Sequence, residues 1–496
     1  MILVTIAEKI TVNIEVDKAG IKYLNKFFRI DNPKLAILKK LGKRGFGVPA
    51  YIYLYKLAAN RIIFNRGDIE KVKTFLNFIK LPYEIKKDLK GEKIKLDWNK
   101  EIVLRDYQNK VLQSGLENDQ GCFIVPAGGG KTITGMKLIK EIGLKTLWVT
   151  HTKDLLYQSA DAFKMCLGYA AGIIGDGKQD VKDVTIATVQ TLSNRPKLIE
   201  ELKKTVGLII VDECHHVPTN YFSKVLQEFK PKFVFGLTAT PDRKDNMQDY
   251  MYSVIGKKLI EIDRNLLYKS NKLVIPVLTP IYTDFEGDTI NLDQESVDLG
   301  GDGSNYHELI KKLISDEKRQ DLIVNTIVEK HKNEKNLCLV EWVAYGEIIL
   351  KKLKEMCPLY RIEFIHGKVN KNDRKNILKD FKENKIDILF ATKLAREGLD
   401  LPNLTQLFLL TPKKGDSKSI TADGSALEQE VGRVMRPDPS NHEKVAKVVD
   451  FVDYKNGILR NQWYTRRRTY KRLQIEVLNK EKNKILHVKS VFSEFL

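Results

Sequence analysis

The chain has 496 residues, 43% of them hydrophobic, so it is long enough for about three domains with their own cores. Lys and Arg total 84 against 64 for Asp and Glu, a net charge of +20. These values exclude a disordered or fibrous chain and predict a polyanionic partner, nucleic acid first, although charge alone also fits a lysine-rich surface that serves only solubility.

The cysteines and the apolar runs predict the compartment. Five cysteines are scattered without a CxxC pair, which predicts neither disulfide partners nor a zinc site. The start alternates apolar and polar residues, unlike a signal peptide, and no apolar run approaches the roughly 20 residues of a membrane helix. We expect a cytoplasmic protein without a membrane partner.

Residues 1–97 predict a small, basic α+β domain. Strands are expected at Ile10–Val16 and Ala50–Leu57, a Gly-punctuated turn at Lys43–Gly47, and an amphipathic helix at Ile69–Ile79.

From about residue 98 the pattern changes to short apolar strands that alternate with helical stretches, which is typical of parallel α/β sheets. Two series follow one another, at 98–268 and 269–455, and predict two similar lobes. The expected strands of the first lobe are Gly121–Val125, Thr146–Thr150, Val184–Ala187, Leu208–Val211 and Phe233–Leu237, and those of the second are Val274–Leu278, Leu337–Val340, Arg361–Ile365, Ile386–Ala391, Gln406–Leu410 and Ala446–Phe451.

Two segments interrupt the second lobe, and a basic tail follows it. Glu286–Asn305 and Lys413–Ser425 have the composition of loop insertions. The tail, 456–496, begins with a basic helix at Arg460–Leu473, which either contacts nucleic acid or forms a solvated face.

A phosphate-binding loop is the strongest local signal. At Phe123–Thr132 an apolar strand enters a Gly-rich turn with Lys and Thr where a helix begins. Glycines let backbone N–H groups surround phosphate, the lysine supplies a charge to the β and γ oxygens, and the threonine hydroxyl can ligate Mg²⁺. Val125 replaces the first glycine of the strict pattern, and by itself the loop leaves kinases, transporters and GTPases open. The residues expected at the nucleotide are Ala127, Gly128, Gly129, Gly130, Lys131 and Thr132.

A carboxylate pair completes the expected hydrolytic site. The strand at Leu208–Val211 ends in Asp212 and Glu213, at the edge of the sheet where the phosphate loop also lies. There Asp212 can hold Mg²⁺ with Thr132, and Glu213 can polarise the attacking water.

The Asp-Glu-Cys-His segment at 212–215, with Thr238-Ala-Thr-Pro241 after the next strand, resembles motifs II and III of the superfamily 2 helicases. Kinases and transporters lack that pair. The resemblance implies that Thr238 and Thr240 couple the γ-phosphate to the grip on nucleic acid. The segment Leu104–Gln108 resembles the Q motif, which implies that Gln108 bonds the adenine edge and that Tyr107 packs nearby.

The second lobe carries matching segments. Gln429–Arg436 resembles motif VI, which implies that Arg433 and Arg436 act as arginine fingers on the transferring phosphoryl group, with Gln429 in the coupling group. Thr392–Asp400 resembles motif V, and this places Gly398 and Asp400 at the nucleotide.

The same resemblance implies a track for one nucleic-acid strand, held mostly through its phosphates by strand tips and helix N-termini. A threonine at such a position can also be only a helix cap. The candidates are Thr150, His151, Thr152, Lys153, Thr188, Val189 and Gln190 in the first lobe, and His366, Gly367, Lys368 and Thr392 in the second.

Within the superfamily, these motifs and the Glu-Gly-Leu-Asp-Leu-Pro-Asn-Leu segment at 397–404 resemble the group of XPB, RecG-like remodellers and phage branch-migration helicases such as UvsW. The resemblance covers about residues 100–455; Asn32-Pro33, Tyr53–Tyr55 and Asn65–Gly67 extend it to the N-terminal domain. It implies two tandem RecA-like lobes that hydrolyse ATP with Mg²⁺ between them. The partner would be single-stranded DNA with branched duplex, so that forks or four-way junctions are unwound or migrate in recombination, repair or replication, in a bacterial or phage-infected cytoplasm.

Three alternatives stay open. A motor subunit of an ATP-dependent restriction nuclease would use the ExK triplet Glu84-Ile-Lys86, for which no upstream Pro-Asp partner is evident. An RNA remodelling helicase would need the same motor, because phosphate tracking does not require reading of the sugar. A nucleic-acid sensor would use ATP only to switch conformation.

Overall fold

The computed structural model describes residues 1–40, 44–218, 220–241, 245, 247–269, 273–287, 304–392, 401, 403–413, 424–438, 440–441, 443–479 and 484–486. Most of both predicted insertions, at 288–303 and 414–423, lies outside these residues. The described chain forms two compact units, one of residues 1–39 and 44–263 and the other from Arg264 onward.

The first unit opens with a small α+β domain. Its five-stranded sheet has the order β5-β6-β2-β1-β7, in which only β1 and β7 are parallel, and β3 pairs with β4 separately. The elements are β1 Ile2–Ile6, β2 Lys9–Val12, α1 Lys18–Phe27, β3 Arg29–Asp31, α2 Pro33–Lys40, β4 Tyr51–Tyr53, β5 Tyr55–Ala58, β6 Arg61–Asn65, α3 Ile69–Phe78 and β7 Tyr83–Lys87.

Two of the predicted strands in this domain differ from the structure. The stretch at Ala50–Leu57 is two strands, because Leu54 turns its buried side chain into the core and its N–H donates to the Phe28 carbonyl oxygen. The strand predicted to reach Val16 ends at Val12, where pairing with β1 stops. The predicted helix is confirmed as α3.

The N-terminal domain is fastened to the adjacent α/β domain by a 3-10 turn at Arg66–Asp68. The buried Arg66 guanidinium donates to the carbonyl oxygens of Pro231 and Lys232 and to Gln120 Oε1. A Cβ at Gly67 would lie 2.2 Å from the Tyr252 carbonyl oxygen, so only glycine permits this approach. Because burial lowers the pKa of Arg66 only to about 10, the side chain stays charged at neutral pH.

The α/β domain of the first unit is built on one mainly parallel sheet. Its order is β11-β10-β12-β9-β13-β14-β8-β15, and only β10 and β11 are antiparallel. The elements are α4 Asp106–Leu116, β8 Gln120–Ile124, α5 Lys131–Ile142, β9 Thr146–Thr150, α6 Lys153–Leu167, β10 Gly172–Gly175, β11 Lys178–Gln179, β12 Val184–Thr188, α7 Val189–Ser193, α8 Pro196–Leu202, β13 Leu208–Asp212, α9 Asn220–Leu226, β14 Phe233–Thr238, α10 Gln248–Ile255 and β15 Lys258–Glu261.

The continuous apolar runs that predicted the central strands are explained by burial on both faces. Every residue of β9, β12 and β13 is buried, as expected for parallel strands covered by helices on each side. Each strand predicted for the first lobe is present within two residues of its expected bounds.

The second unit repeats this architecture. Its sheet has the order β18-β19-β17-β20-β21-β16-β22-β23, and only β22 and β23 are antiparallel. The elements are α11 Arg264–Lys269, β16 Val277–Tyr282, α12 Ser304–Ser315, α13 Glu317–Lys330, β17 Asn336–Leu339, α14 Val343–Met356, β18 Ile362–Ile365, α15 Lys371–Lys382, β19 Ile388–Ala391, β20 Gln406–Leu409, α16 Gly424–Val434, β21 Lys447–Val452, α17 Gly457–Arg472, β22 Glu476–Asn479 and β23 Lys484–Leu486.

The first strand of this unit, β16, begins later than predicted. It starts at Val277 rather than Val274, directly after Pro276, which has no N–H to donate to a ladder.

The basic tail helix, α17, buries one face against the second sheet and exposes another. In α17, Arg466 is 1% exposed, and its guanidinium binds both carboxylate oxygens of Asp450, at 2.8 and 3.0 Å. Part of the positive charge predicted for this helix is therefore structural.

In the described part of the chain, no helix has the length and apolar character needed to cross a membrane. All five cysteines are buried and free.

The Arg66 contacts predict the stability of the first unit. Arg66→Ala should lower the free energy of unfolding by about 3 kcal/mol, because the carbonyl oxygens of Pro231 and Lys232 and the side chain of Gln120 lose a charged donor. Urea unfolding measures this change, and Arg61→Ala, at an exposed position of the same domain, is the matched control. Equal stability of the two variants would contradict the role of Arg66.

Candidate active site

The phosphate loop joins the carboxyl end of β8 to the first turn of α5. Gly128 and Gly130 adopt φ values of 78° and 77°, a left-handed conformation that glycine accepts without strain. The Gly129 N–H donates to the Pro126 carbonyl oxygen at 2.9 Å, which closes the turn. With the N-terminus of α5 behind it, the loop is a site for phosphate.

Tyr107 and Gln108 lie against the phosphate loop. The Tyr107 hydroxyl donates to the Gly129 carbonyl oxygen at 3.0 Å, and Gln108 Nε2 lies 3.4 Å from the carbonyl oxygens of Gly129 and Gly130. A Cβ at Gly130 would lie 2.3 Å from Gln108 Nε2. The two residues predicted at the adenine therefore brace the loop itself.

Lys131, Asp212 and Glu213 come together, as the sequence predicts. Because β8, β14 and β13 are parallel neighbours, the phosphate loop and the end of β13 meet at one edge of the sheet. Lys131 Nζ lies 2.8 Å from Glu213 Oε1, and Asp212 Oδ1 accepts the Glu213 N–H at 3.0 Å. Thr132 is half-buried in the same turn of α5 as Lys131.

Burial and mutual charge set the protonation of this cluster. Burial, together with the Glu213 charge, raises the pKa of Asp212 to about 7. Burial also works against ionisation of Glu213, but Lys131 and His215 outweigh it and lower the pKa of Glu213. A further cation beside Asp212 would therefore stabilise the ionised form of its carboxylate.

These side chains fit Mg²⁺ bound with a nucleotide. Mg²⁺ keeps several waters and takes only one or two protein oxygens beside phosphate, so Thr132 and Asp212 suffice. Among the described residues, no group of three or more His, Cys, Asp and Glu side chains could hold a metal ion without the help of a nucleotide.

Glu213 is connected to Thr238 through His215. His215 Nδ1 lies 2.9 Å from Thr238 Oγ1 and 3.3 Å from Glu213 Oε2. Thr238 Oγ1 in turn accepts the Thr240 N–H at 3.2 Å. The hydrolytic carboxylate and the two predicted coupling threonines thus form one polar network.

A stack of three histidines extends this network to the neighbouring strand tip. The His216 ring lies 4.2 Å from the His215 ring and 3.9 Å from the His151 ring, centroid to centroid. His216 is absent from the predicted site. The doubled histidine directly after the Asp-Glu-Cys segment was the only sequence signal for it.

The predicted track residues of the first unit cluster at the same edge. Thr188 pairs with Thr150 at the ends of β12 and β9. Both threonines are buried, and the Thr150 hydroxyl is 3.3 Å from the Ala187 carbonyl oxygen. Thr152 caps α6, and Gln190 Nε2 donates to the His151 carbonyl oxygen at 2.8 Å.

Lys153 is an exposed member of this set. Its side chain is 67% exposed and its Nζ lies 2.9 Å from Asp176 Oδ1. A phosphate at this edge would therefore compete with Asp176 for the lysine.

In the second unit the predicted residues occupy the corresponding edge. His366 and Thr392 follow the paired strands β18 and β19. Thr392 is buried, and its hydroxyl has no hydrogen-bond partner among the described residues. Lys368 is exposed. Gly398 and Asp400 lie outside the described residues.

Helix α16 carries the predicted arginine fingers. Gln429 and Arg433 lie one turn apart and are half-buried, and Arg436 follows the helix. Glu428 and Glu430, on either side of Gln429 in the helix, are buried. Glu428 forms ion pairs with Arg264 and Arg472, and Glu430 pairs with Lys413.

Two family models match the chain. The model of the type III restriction enzyme res subunit matches residues 101–243, and the helicase conserved C-terminal domain matches residues 317–438. These ranges contain the phosphate loop and the carboxylate pair in one case and the α16 arginines in the other.

Among curated proteins, the DNA 3'-5' translocase XPB2 of Sulfurisphaera tokodaii is 26% identical over 380 residues, 71% of this chain and 82% of that protein. The chain spans about half the length of the next two relatives, 56% and 54%. Among solved structures, Dbp5 of Saccharomyces cerevisiae, bound to RNA and ADP BeF3, aligns with a TM-score of 0.52 and 13% identity over 75% of this chain and 88% of that one. T4 UvsW aligns over 91% and 90% with a TM-score of 0.40 and 22% identity.

The two α/β lobes are thus RecA-like, and the chain is an ATP-hydrolysing enzyme of the helicase class, which acts on nucleic acids. More particularly, the two family models and the XPB2 relative together support a superfamily 2 helicase of the XPB/UvsW group. The predicted fold class and family are confirmed.

The Lys131 contacts predict the effect of its removal. Lys131→Ala should abolish ATP hydrolysis, because the phosphates lose their buried cation. Steady-state phosphate release measures turnover, and the melting temperature reports the fold. Lys137→Ala, which removes a lysine of the same helix that pairs with Glu141, is the control. Near-wild-type turnover of Lys131→Ala would contradict the assignment.

Proposed function

We propose that this protein is a DNA translocase that moves along one strand and unwinds or branch-migrates forked or four-way junctions in recombination, repair or replication. The observation that carries the proposal is the proximity of hydrolytic and track residues: the edge holding Lys131 and Glu213 also holds Thr150 and Thr188, one and two strands from β13. DNA, rather than RNA, is favoured because the XPB2 relative is a DNA translocase.

In this proposal each residue of the ATP site has one task. Lys131 leaves Glu213 for the β and γ phosphates, and the released Glu213 carboxylate orients the attacking water. Thr132 and Asp212 would hold Mg²⁺, which neutralises phosphate charge. Arg433 and Arg436 act on the transferring phosphoryl group, and Gly398 and Asp400 contact the nucleotide, as the motif resemblance implies.

The histidine stack gives the proposal a route of coupling within the first lobe. A phosphate held beside His151 and Lys153 displaces the His151 ring against His216. That displacement reaches His215, whose Nδ1 contacts both the Thr238 hydroxyl and Glu213. The nucleic-acid phosphate and the nucleotide thereby act on the same network of polar side chains, which is what coupling between the two binding sites requires.

The N-terminal domain has a different task, because it sits at the opposite edge of the sheet. The partners of Arg66 precede or begin β14 and β8, so they mark the amino ends of the strands. Residues 1–97 hold 21 Lys and Arg against 10 Asp and Glu. We assign to this domain the binding of a duplex arm, by its charge.

A restriction nuclease and an RNA remodeller have less support. The restriction-enzyme match covers 101–243 only, so it does not reach Glu84 and Lys86. These two side chains are exposed on β7. The likeness to RNA-bound Dbp5 is one of fold.

The stimulation of ATP hydrolysis by different polymers tests the proposal. We expect turnover to rise most with forked or four-way DNA, less with single-stranded or duplex DNA, and least with single-stranded RNA. Phosphate release under each condition is the measurement. Greatest stimulation by RNA would move the chain to RNA remodelling, and indifference to every polymer would overturn the track.

The coupling route predicts a separate defect. His216→Ala should reduce the ratio of DNA-stimulated to unstimulated turnover about fivefold, the low end of typical coupling energies. His216→Phe keeps an aromatic ring between its neighbours and should retain most of the ratio. An unchanged ratio in His216→Ala would remove the stack from the coupling route.

A further inference from the structure

The second unit carries a surface on which tyrosines alternate with arginines. It consists of Tyr282, Tyr454, Arg460, Tyr464 and Arg467, and we refer to it as the tyrosine–arginine surface. The three tyrosines are 58%, 43% and 37% exposed, in that order. No task in ATP hydrolysis falls to any of these side chains.

The rings form a connected row. Tyr282 and Tyr454 lie edge to face at a centroid distance of 6.1 Å, and Tyr454 and Tyr464 do so at 6.4 Å. Arg460 lies over the Tyr454 ring at 5.6 Å, and Arg467 over the Tyr464 ring at 5.9 Å. The row is therefore an ordered platform rather than a set of separate side chains.

In helix α17, which supplies most of this surface, the side chains of the row and the side chains that stabilise the fold occupy different positions. Arg460, Tyr464 and Arg467 follow an i, i+4, i+7 spacing and share one face of α17. Arg466 is turned into the core against Asp450, and Arg472 pairs with the buried Glu428. The outward arginines of the row thus differ from those that hold the fold together.

Among the described residues, the charge at this surface is positive overall. Two carboxylates lie at its rim, and Lys455 Nζ lies 3.0 Å from Asp284 Oδ1 and 3.2 Å from Glu286 Oε1. Lys455 partly offsets these carboxylates, and Arg460 and Arg467 add two further charges. A polyanion is therefore a better match than an acidic or a purely apolar partner.

The surface lies at the carboxyl edge of the second sheet. Tyr282 ends β16 and is paired with Val452 at the end of β21, two residues before Tyr454. The same edge carries His366 and Thr392, which follow β18 and β19. A strand that follows this edge beyond the predicted track reaches the tyrosines.

We propose that the tyrosine–arginine surface binds unpaired bases of a single DNA strand by stacking, an inference that rests on the proposed translocase function. Aromatic faces stack any base, and arginine contributes both to phosphate and to cation–π contact. Neighbouring rings are nearly perpendicular, at 83° and 86°, so bases that lie on them cannot stay parallel to one another, and the surface suits an unstacked strand over a duplex.

The test is the affinity of the full chain for labelled oligo-dT and for an abasic oligonucleotide with the same number of phosphates. Tyr454→Ala with Tyr464→Ala should weaken oligo-dT binding about tenfold or more, the typical effect of losing stacking. Binding of the abasic oligonucleotide should change little. The Tyr454→Phe with Tyr464→Phe variant keeps both rings and should bind like the wild type.

Matched controls separate this surface from general effects. Tyr221→Ala removes a tyrosine that is also 58% exposed, and Arg468→Gln removes an exposed arginine from the same helix outside the row. Both should bind oligo-dT like the wild type, and melting temperatures of all variants report the fold. Equal losses for oligo-dT and for the abasic oligonucleotide would overturn base stacking.

Failure of this proposal is distinguishable from failure of the proposed function. If the wild type is stimulated by DNA but the double alanine variant binds oligo-dT with wild-type affinity, the surface assignment alone is wrong. If the wild type binds no DNA and no polymer stimulates its turnover, the translocase function is wrong as well.

Discussion

The parallel direction of the strands is the constraint on which the molecule's arrangement depends. Because β8, β14, β13, β9 and β12 run the same way, the loops that leave their carboxyl ends meet along one edge. The phosphate loop, the Asp212–Glu213 pair, Thr238, and the tips at Thr150 and Thr188 all come from those ends. The N-terminal domain is joined at the amino ends of the strands instead, through Arg66. The direction of the strands therefore places the ATP site and the attachment of this domain at opposite edges of the sheet.

Burial divides the positive charge of the chain into two populations. Arg66 serves backbone carbonyls, while Arg319 and Arg466 bind Asp453 and Asp450 as buried ion pairs. Their planar, always charged guanidinium suits such multiple contacts. Each buried ion pair sums to zero and leaves the net charge of +20 unchanged, but its arginine is not available to a polyanion. The position of each arginine, rather than the total, therefore decides whether it meets a ligand.

The sequence predicted what local pattern encodes. Buried parallel strands appear in the sequence as apolar runs, and the phosphate loop has its own glycine signature. The two lobes and the Lys131–Glu213 site could therefore be predicted. The break at Leu54 was not, because it depends on a hydrogen bond to Phe28 and on tertiary packing. The histidine stack was equally hidden, since His151 and His216 are far apart in the chain and meet only through the sheet. Gln108 fitted its motif, yet its contacts with the phosphate loop depend on tertiary packing that no local pattern encodes.

Glu213 holds a backbone conformation that is normally left to glycine, with φ of 49° and ψ of 53°. A non-glycine residue there costs about 1–2 kcal/mol. The carboxylate is thus kept in a backbone conformation that glycine would adopt at lower cost, while its ion pair with Lys131 holds it in place. A Glu213→Gly change would relieve the backbone strain and, in the same step, leave Lys131 buried without its carboxylate, so conformation and charge at this position act on stability in opposite directions.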